Sequence, residues 1–134
     1  MKKFFSYKYE VLIFLSGSLL LSVFMVLQEP SVLGAIDYAE LHGFNKFFFK
    51  EQIVSGNLPL WNPYVMLGRP FLADIEAACL YPPNLLFALF SENIALILSN
   101  TLHFFLGAFS MMILSRLWGV RRFWSVILGA VFAL

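Results

Sequence analysis

The sequence predicts an all-α fold, a polytopic helical membrane protein with a long external first loop that contains an interfacial helix. Three observations carry that prediction. Of the 134 residues, 60% are hydrophobic and only 13% are charged. Two long apolar runs, Val11–Leu27 and Ile94–Leu117, flank a turn-rich middle. Basic residues gather before the first run and after the second. A soluble domain carries roughly 45–50% apolar and about 25% charged residues. This chain, with a mean hydropathy of +0.81, has too little polar surface to coat a water-soluble globule. The net charge of +1 gives no bulk attraction for nucleic acid, which is not expected as a partner. The single cysteine, Cys79, excludes an internal disulfide framework.

Residues 1–10 form a short basic N-terminus with Lys2, Lys3 and Lys8. Val11–Leu27 follows as the first transmembrane helix, free of charge. At 1.5 Å per residue it covers about 25 Å, enough to span with help from Tyr9 and a snorkelling Lys8. A cleaved signal peptide is the rival reading, with Met1-Lys2-Lys3 as its basic region and Val32-Leu33-Gly34 as its cleavage site. Its apolar region usually has about 7–15 residues, shorter than the run here. Residues 94–117 form the second span. In it Asn100, His103, Gly107 and Ser110 fall on one helix face, expected to meet neighbouring helices. Residues 118–122 make a turn, and 123–134 are expected to be the start of a third, continuing span, because twelve residues cannot cross about 30 Å of hydrocarbon.

Orientation follows from the basic residues. Lys2, Lys3 and Lys8 precede the first span, and Arg116, Arg121 and Arg122 join the second to the third. Residues 28–93 hold three basic residues against seven acidic ones. The positive-inside rule puts the N-terminus and the 118–122 turn in the cytoplasm and residues 28–93 outside.

Within that external segment, Asp37–Ser55 reads as a helix lying along the membrane. Asp37, Leu41, Phe44 and Phe48 form one row, which is expected to turn Phe44 and Phe48 toward lipid or the spans, while His42, Lys46 and Lys50 point away from it. Gly56 ends the helix and Pro59 prevents its return. Residues 57–84 contain five of the six prolines, so a rigid, turn-rich loop is expected there. Trp61, Tyr64 and Tyr81 are amphipathic rings suited to the headgroup layer. Trp61-Asn62-Pro63 reads as a loop-shaping turn.

The ordered series Gly56-Asn57-Leu58-Pro59-Leu60-Trp61-Asn62-Pro63-Tyr64, Gly68-Arg69-Pro70-Phe71-Leu72-Ala73-Asp74 and Tyr81-Pro82-Pro83-Asn84 resembles the first external loop of the YfhO-like and related GT-C-type membrane glycosyltransferases. The resemblance implies an enzyme of the bacterial plasma membrane that transfers a sugar from a polyprenyl-phosphate donor to an envelope acceptor on the outer face. Its partners would be membrane lipid and the lipid-linked sugar. No protein partner is indicated. Such a transfer needs a carboxylate to take the acceptor proton and cations to hold the leaving phosphate, from Arg, Lys or a divalent metal ion. Asp37 stands about where these families place their first-loop acid and is the expected catalytic residue, as the base or as a ligand that positions the acceptor. Asp74 and Glu76 are candidates for acceptor or metal binding, and Arg69, Lys46 and Lys50 for phosphate.

Each of these residues also has a plainer reading. Asp37 can cap the surface helix, Asp74 and Glu76 can be solvated loop acids, and Arg69, Lys46 and Lys50 can sit among anionic headgroups. His103 can be a neutral imidazole bonded to a neighbouring helix. Two other functions fit the same chain. A transporter or flippase of lipid-linked sugars would use Asn100 and His103 at mid-membrane. A non-catalytic scaffold would use the loop to hold partners.

Overall fold

The computed structural model describes residues 7–27 and 43–133. The elements in chain order are α1 (Lys8–Leu27), α2 (Phe44–Val54), β1 (Trp61–Asn62), β2 (Arg69–Pro70), α3 (Leu85–Leu89), α4 (Glu92–Leu117) and α5 (Arg122–Ala133). The chain is mostly helical, as its composition predicts. Its only described strands form a minimal antiparallel pair, with Trp61 opposite Pro70 and Asn62 opposite Arg69.

Among the described residues, α1 and α4 are long and apolar enough to cross a membrane. Only 22% and 17% of their apolar windows are buried, whereas a core helix of a soluble protein hides most of its surface. Both begin two or three residues earlier than the apolar runs alone indicate, because the helices take in Lys8 and Glu10, and Glu92, ahead of the first residue of each run. At the far end of α4, Gly119 takes a φ of 83°. The Val120 N–H reaches the Ser115 carbonyl (3.1 Å) and the Gly119 N–H that of Arg116 (3.0 Å). This pair of hydrogen bonds at a left-handed glycine stops the helix and leaves Arg121 in the connection, just ahead of Arg122 at the start of α5.

The chain divides into two compact units, Met1–Phe24 with Asn100–Leu134, and Met25–Ser99. In the first, Phe14, Ala108 and Met112 form the buried centre, with Phe105, Phe109 and Val126 against it. The face of α4 that packs is Thr101, Ala108, Met112 and Ser115, all buried, while His103 and Ser110 are exposed. Of the expected row of Asn100, His103, Gly107 and Ser110, Gly107 does face α5, where an added Cβ would lie 3.7 Å from the Phe132 ring, but that is ordinary contact, and His103 and Ser110 lie on exposed surface. Close approach is made at α5 instead, where a Cβ on Gly129 would lie 2.5 Å from the Ala108 carbonyl oxygen and 2.9 Å from the Phe14 ring. A small residue does permit the contact, but it sits on the partner helix. Glu10, almost fully buried, pairs with Arg122 Nε at the start of α5.

Gly129→Ala is expected to lower stability by about 1–3 kcal/mol through overpacking. Gly17, in the same unit, has nothing within 4 Å of an added Cβ, so Gly17→Ala should be neutral or slightly stabilising from helix propensity. Thermal unfolding of both variants in detergent checks the pair. Equal melting temperatures would mean that α5 does not pack where Gly129 touches Ala108.

In the second unit α2 ends as its sequence requires. Gly56 adopts a φ of 76°, its N–H bonds to the Ile53 carbonyl (3.0 Å) and that of Asn57 to Gln52 (2.9 Å). The orientation of α2 departs from the expected row. Phe44 is 64% exposed, but Phe48 is 5% exposed and packs edge-on against Phe71, with ring centroids 4.8 Å apart. Phe48, Phe49, Phe71, Ala77 and Ala88 make the core of this unit. Phe48 is thus covered by the proline-rich segment rather than turned toward lipid, and Phe47 shares the exposed face with Phe44. The part of the expected helix before Gly43 lies outside the described residues.

Candidate functional site

The proline-rich segment is shaped by its own polar groups before it meets α2. The Asn62 side chain is buried and its Oδ1 accepts the Tyr64 N–H at 3.0 Å, closing a turn around Pro63. Gly68, with a φ of 105°, lies under the Trp61 indole, and a Cβ there would come within 2.8 Å of the ring. Trp61-Asn62-Pro63 therefore shapes the loop, as the sequence predicts. Downstream, Asn84 gathers the chain. Its Nδ2 donates to the carbonyls of Ala77 (3.3 Å) and Ala78 (2.7 Å), and its Oδ1 accepts from Lys46 Nζ at 2.7 Å. Ala78 sits at a φ of 48°, a strained conformation for a residue with a side chain, and the Asn84 bonds hold it there.

Two clusters result. In the first, Arg69 Nη2 lies 2.7 Å from Asp74 Oδ2 and donates to Asn45 Oδ1 of α2 at 3.1 Å. Asp74 Oδ1 accepts the Glu76 N–H at 3.0 Å. Arg69 and Asp74, expected separately as a phosphate ligand and an acceptor or metal ligand, are partners in one ion pair, and Glu76 is exposed beside it. Asn45, 2% exposed, has no partner for its Nδ2 among the described residues, nor has Arg69 for its Nε. Such buried donors add to the destabilisation expected when the pair is disturbed. Sequence reasoning missed Asn45, and the signal that could have found it is a polar residue on the otherwise aromatic buried face of α2.

In the second cluster Lys46 and Lys50 line a cleft of about 230 Å³ together with Gly43, Phe47, Phe87 and Glu92. Lys46 Nζ stands 5.0 Å over the Phe87 ring. Lys50 Nζ donates to the Phe90 carbonyl at 2.9 Å, at the C-terminus of α3, where a cation suits the helix dipole. Both lysines lie across the helix from Phe44, as the helical row predicts, and it is this side that the fold engages. Burial pulls the Lys46 ammonium below the usual lysine pKa, a shift that the nearby Cys79 partly opposes. The same burial raises the Cys79 thiol. Each ammonium has three N–H donors, so one bond to protein leaves donors for a ligand. Two cations, two aromatic faces and a carboxylate in one cleft can receive a phosphate together with hydroxyl groups.

Asp37 lies outside the described residues. Among those described, no group of three His, Cys, Asp or Glu side chains converges as a metal site. Comparison with family models, with curated proteins and with solved structures returns no match. The likeness of Gly56–Asn84 to a glycosyltransferase loop thus rests on the motif series itself.

Proposed function

We propose that this chain belongs to an integral membrane glycosyltransferase of the YfhO-like, GT-C type, acting at the outer face of a bacterial plasma membrane. It would transfer a sugar from a polyprenyl-phosphate donor to an envelope acceptor. The N-terminus and residues 118–122 are cytoplasmic in this reading, and residues 28–93 are outside. The Glu10–Arg122 pair, which brings the starts of α1 and α5 together, supports the same-side assignment.

The observation that carries the reading is the cleft of Lys46, Lys50, Phe47, Phe87 and Glu92. A phosphate there would take charge-assisted bonds from the two ammonium groups. Aromatic faces and a carboxylate acceptor suit the attached sugar and its hydroxyls. Asp37 would then remove the acceptor proton as the bond to the phosphate breaks. Glu76 and the Arg69–Asp74 pair border the loop without needing to touch the reacting atoms.

Binding of a polyprenyl phosphate to the membrane-reconstituted protein tests this reading. Lys46→Gln keeps a polar N–H donor on the side chain but removes the charge. It is expected to weaken binding about 10- to 100-fold, the worth of about 1.5–3 kcal/mol for a hydrogen bond to a charged group. The pH dependence has a fixed sign. Because burial lowers the Lys46 pKa, deprotonation removes its positive charge before an ordinary lysine would titrate. Affinity should therefore fall on the alkaline side, and Lys46→Arg should move that loss to higher pH. Unchanged affinity in Lys46→Gln would overturn the reading.

A further inference from the structure

The hairpin joining β1 to β2 has an unusual tip. Between Asn62 and Arg69 it runs Pro63-Tyr64-Val65-Met66-Leu67-Gly68, and the chain carries no charge from Gly56 through Gly68. Tyr64 is 80% exposed, Met66 is 78% exposed and Leu67 is fully exposed. Met66 and Leu67 also hold φ values of 53° and 62°, a left-handed region that turns normally fill with Gly, Asn or Asp. A solvated turn would use those residues, which adopt the conformation without strain and are hydrated. Here strained backbone presents two bulky apolar side chains outward. The tip is braced by the Asn62 turn, by the bond from the Gly68 N–H to the Val65 carbonyl (2.9 Å), and by the Trp61 ring over Gly68.

We infer that this tip is a wedge inserted into the lipid bilayer, with Met66 and Leu67 among the upper acyl chains and Trp61 and Tyr64 at headgroup level. Three observations favour lipid as the occupant. The chain enters and leaves the unit that carries the hairpin through α1 and α4, the two helices with the length and composition of spans. The tip combines aliphatic side chains with amphipathic rings, the pairing found where protein crosses from headgroups to hydrocarbon. The absence of carboxylates on this stretch lets it approach anionic lipid without repulsion. The wedge rests on the reading of α1 and α4 as spans and not on any catalytic activity.

The test uses the protein reconstituted in vesicles of phosphatidylethanolamine and phosphatidylglycerol, with Cys79→Ser removing the native thiol. A nitroxide is attached at Leu67→Cys, and separately at Tyr64→Cys, where backbone strain is not an issue. Its collisions with oxygen and with a water-soluble nickel chelate are compared. At Leu67 the expected result is frequent oxygen collision, severalfold fewer chelate collisions than at exposed Glu51→Cys, and a depth of about 5–10 Å below the phosphates. Tyr64 should be shallower. Chelate access at Leu67 equal to that at Glu51 overturns the proposal by placing the tip in water. An immobilised label shielded from both reagents overturns it by placing protein over the tip. A label at Leu106→Cys on the exposed face of α4 separates the premises. Lipid at Leu106 with water at Leu67 sinks the wedge alone, and water at Leu106 sinks the spans with it.

Discussion

If Asp37 is the base of the proposed transfer, Asp37→Asn is expected to reduce sugar transfer by about 10²–10⁴-fold, the usual worth of general base catalysis, while expression and membrane insertion stay unchanged. The substitution keeps the shape of the side chain and removes its charge and basicity. Asn also caps a helix about as well as Asp, so a purely structural Asp37 would tolerate it. Asp37→Ala separates the two roles, because it loses the cap as well and should destabilise the surface helix by about 1 kcal/mol. Transfer assays on the reconstituted protein, alongside thermal unfolding, give the decisive comparison. Full activity in Asp37→Asn with lowered stability in Asp37→Ala would leave only the cap, and the base would have to be sought elsewhere. Asp74 is a poor substitute, since its carboxylate is committed to Arg69.

The second large effect is expected at that ion pair. Arg69→Ala leaves the Asp74 carboxylate largely buried, with the cation that compensated it gone, and the Asn45 Oδ1 without its donor. Removing one member of a buried pair destabilises by about 3–5 kcal/mol, and the partial exposure of both side chains favours the lower end of that range. Cys79 reports the outcome. Its Sγ packs toward the Phe71 carbonyl at 3.5 Å, and burial raises its pKa, so the thiol reacts slowly while the unit is closed. A loss of about 3 kcal/mol increases the open population about 10²-fold, and Cys79 alkylation should accelerate in proportion. Replacing both members, as Arg69→Met with Asp74→Leu, should recover much of the loss because no charge is left buried. The alternative is equally readable. If Arg69→Ala leaves the alkylation rate unchanged but abolishes binding of polyprenyl phosphate, then Arg69 is the phosphate ligand that its place between Gly68 and Pro70 suggested.

The elements that sequence determined by itself are those governed by local chemistry. Apolar runs without charge produce α1 and α4, since length and composition alone decide whether a helix can cross hydrocarbon. Gly56 ends α2, and Asn62 with Pro63 shapes its turn, because backbone conformation and a hydrogen bond two residues away are set within a few residues. The tertiary structure decided which faces are covered. Periodicity grouped Phe44 with Phe48, yet only the return of Phe71 over α2 buries Phe48 and leaves Phe44 and Phe47 outside. Lys46 and Lys50 look like solvated charges until Asn84 and the Phe90 carbonyl, some forty residues on, supply their partners. Arg69 and Asp74 read as separate candidates because no spacing rule announces a pair that depends on Asn45 across the loop. In the same way, the packing surface of α4 was set by where α5 brings Gly129 rather than by the polar row on α4 itself. A helix carries its periodicity in its own residues, but the face that it buries depends on the side chains that distant segments bring against it.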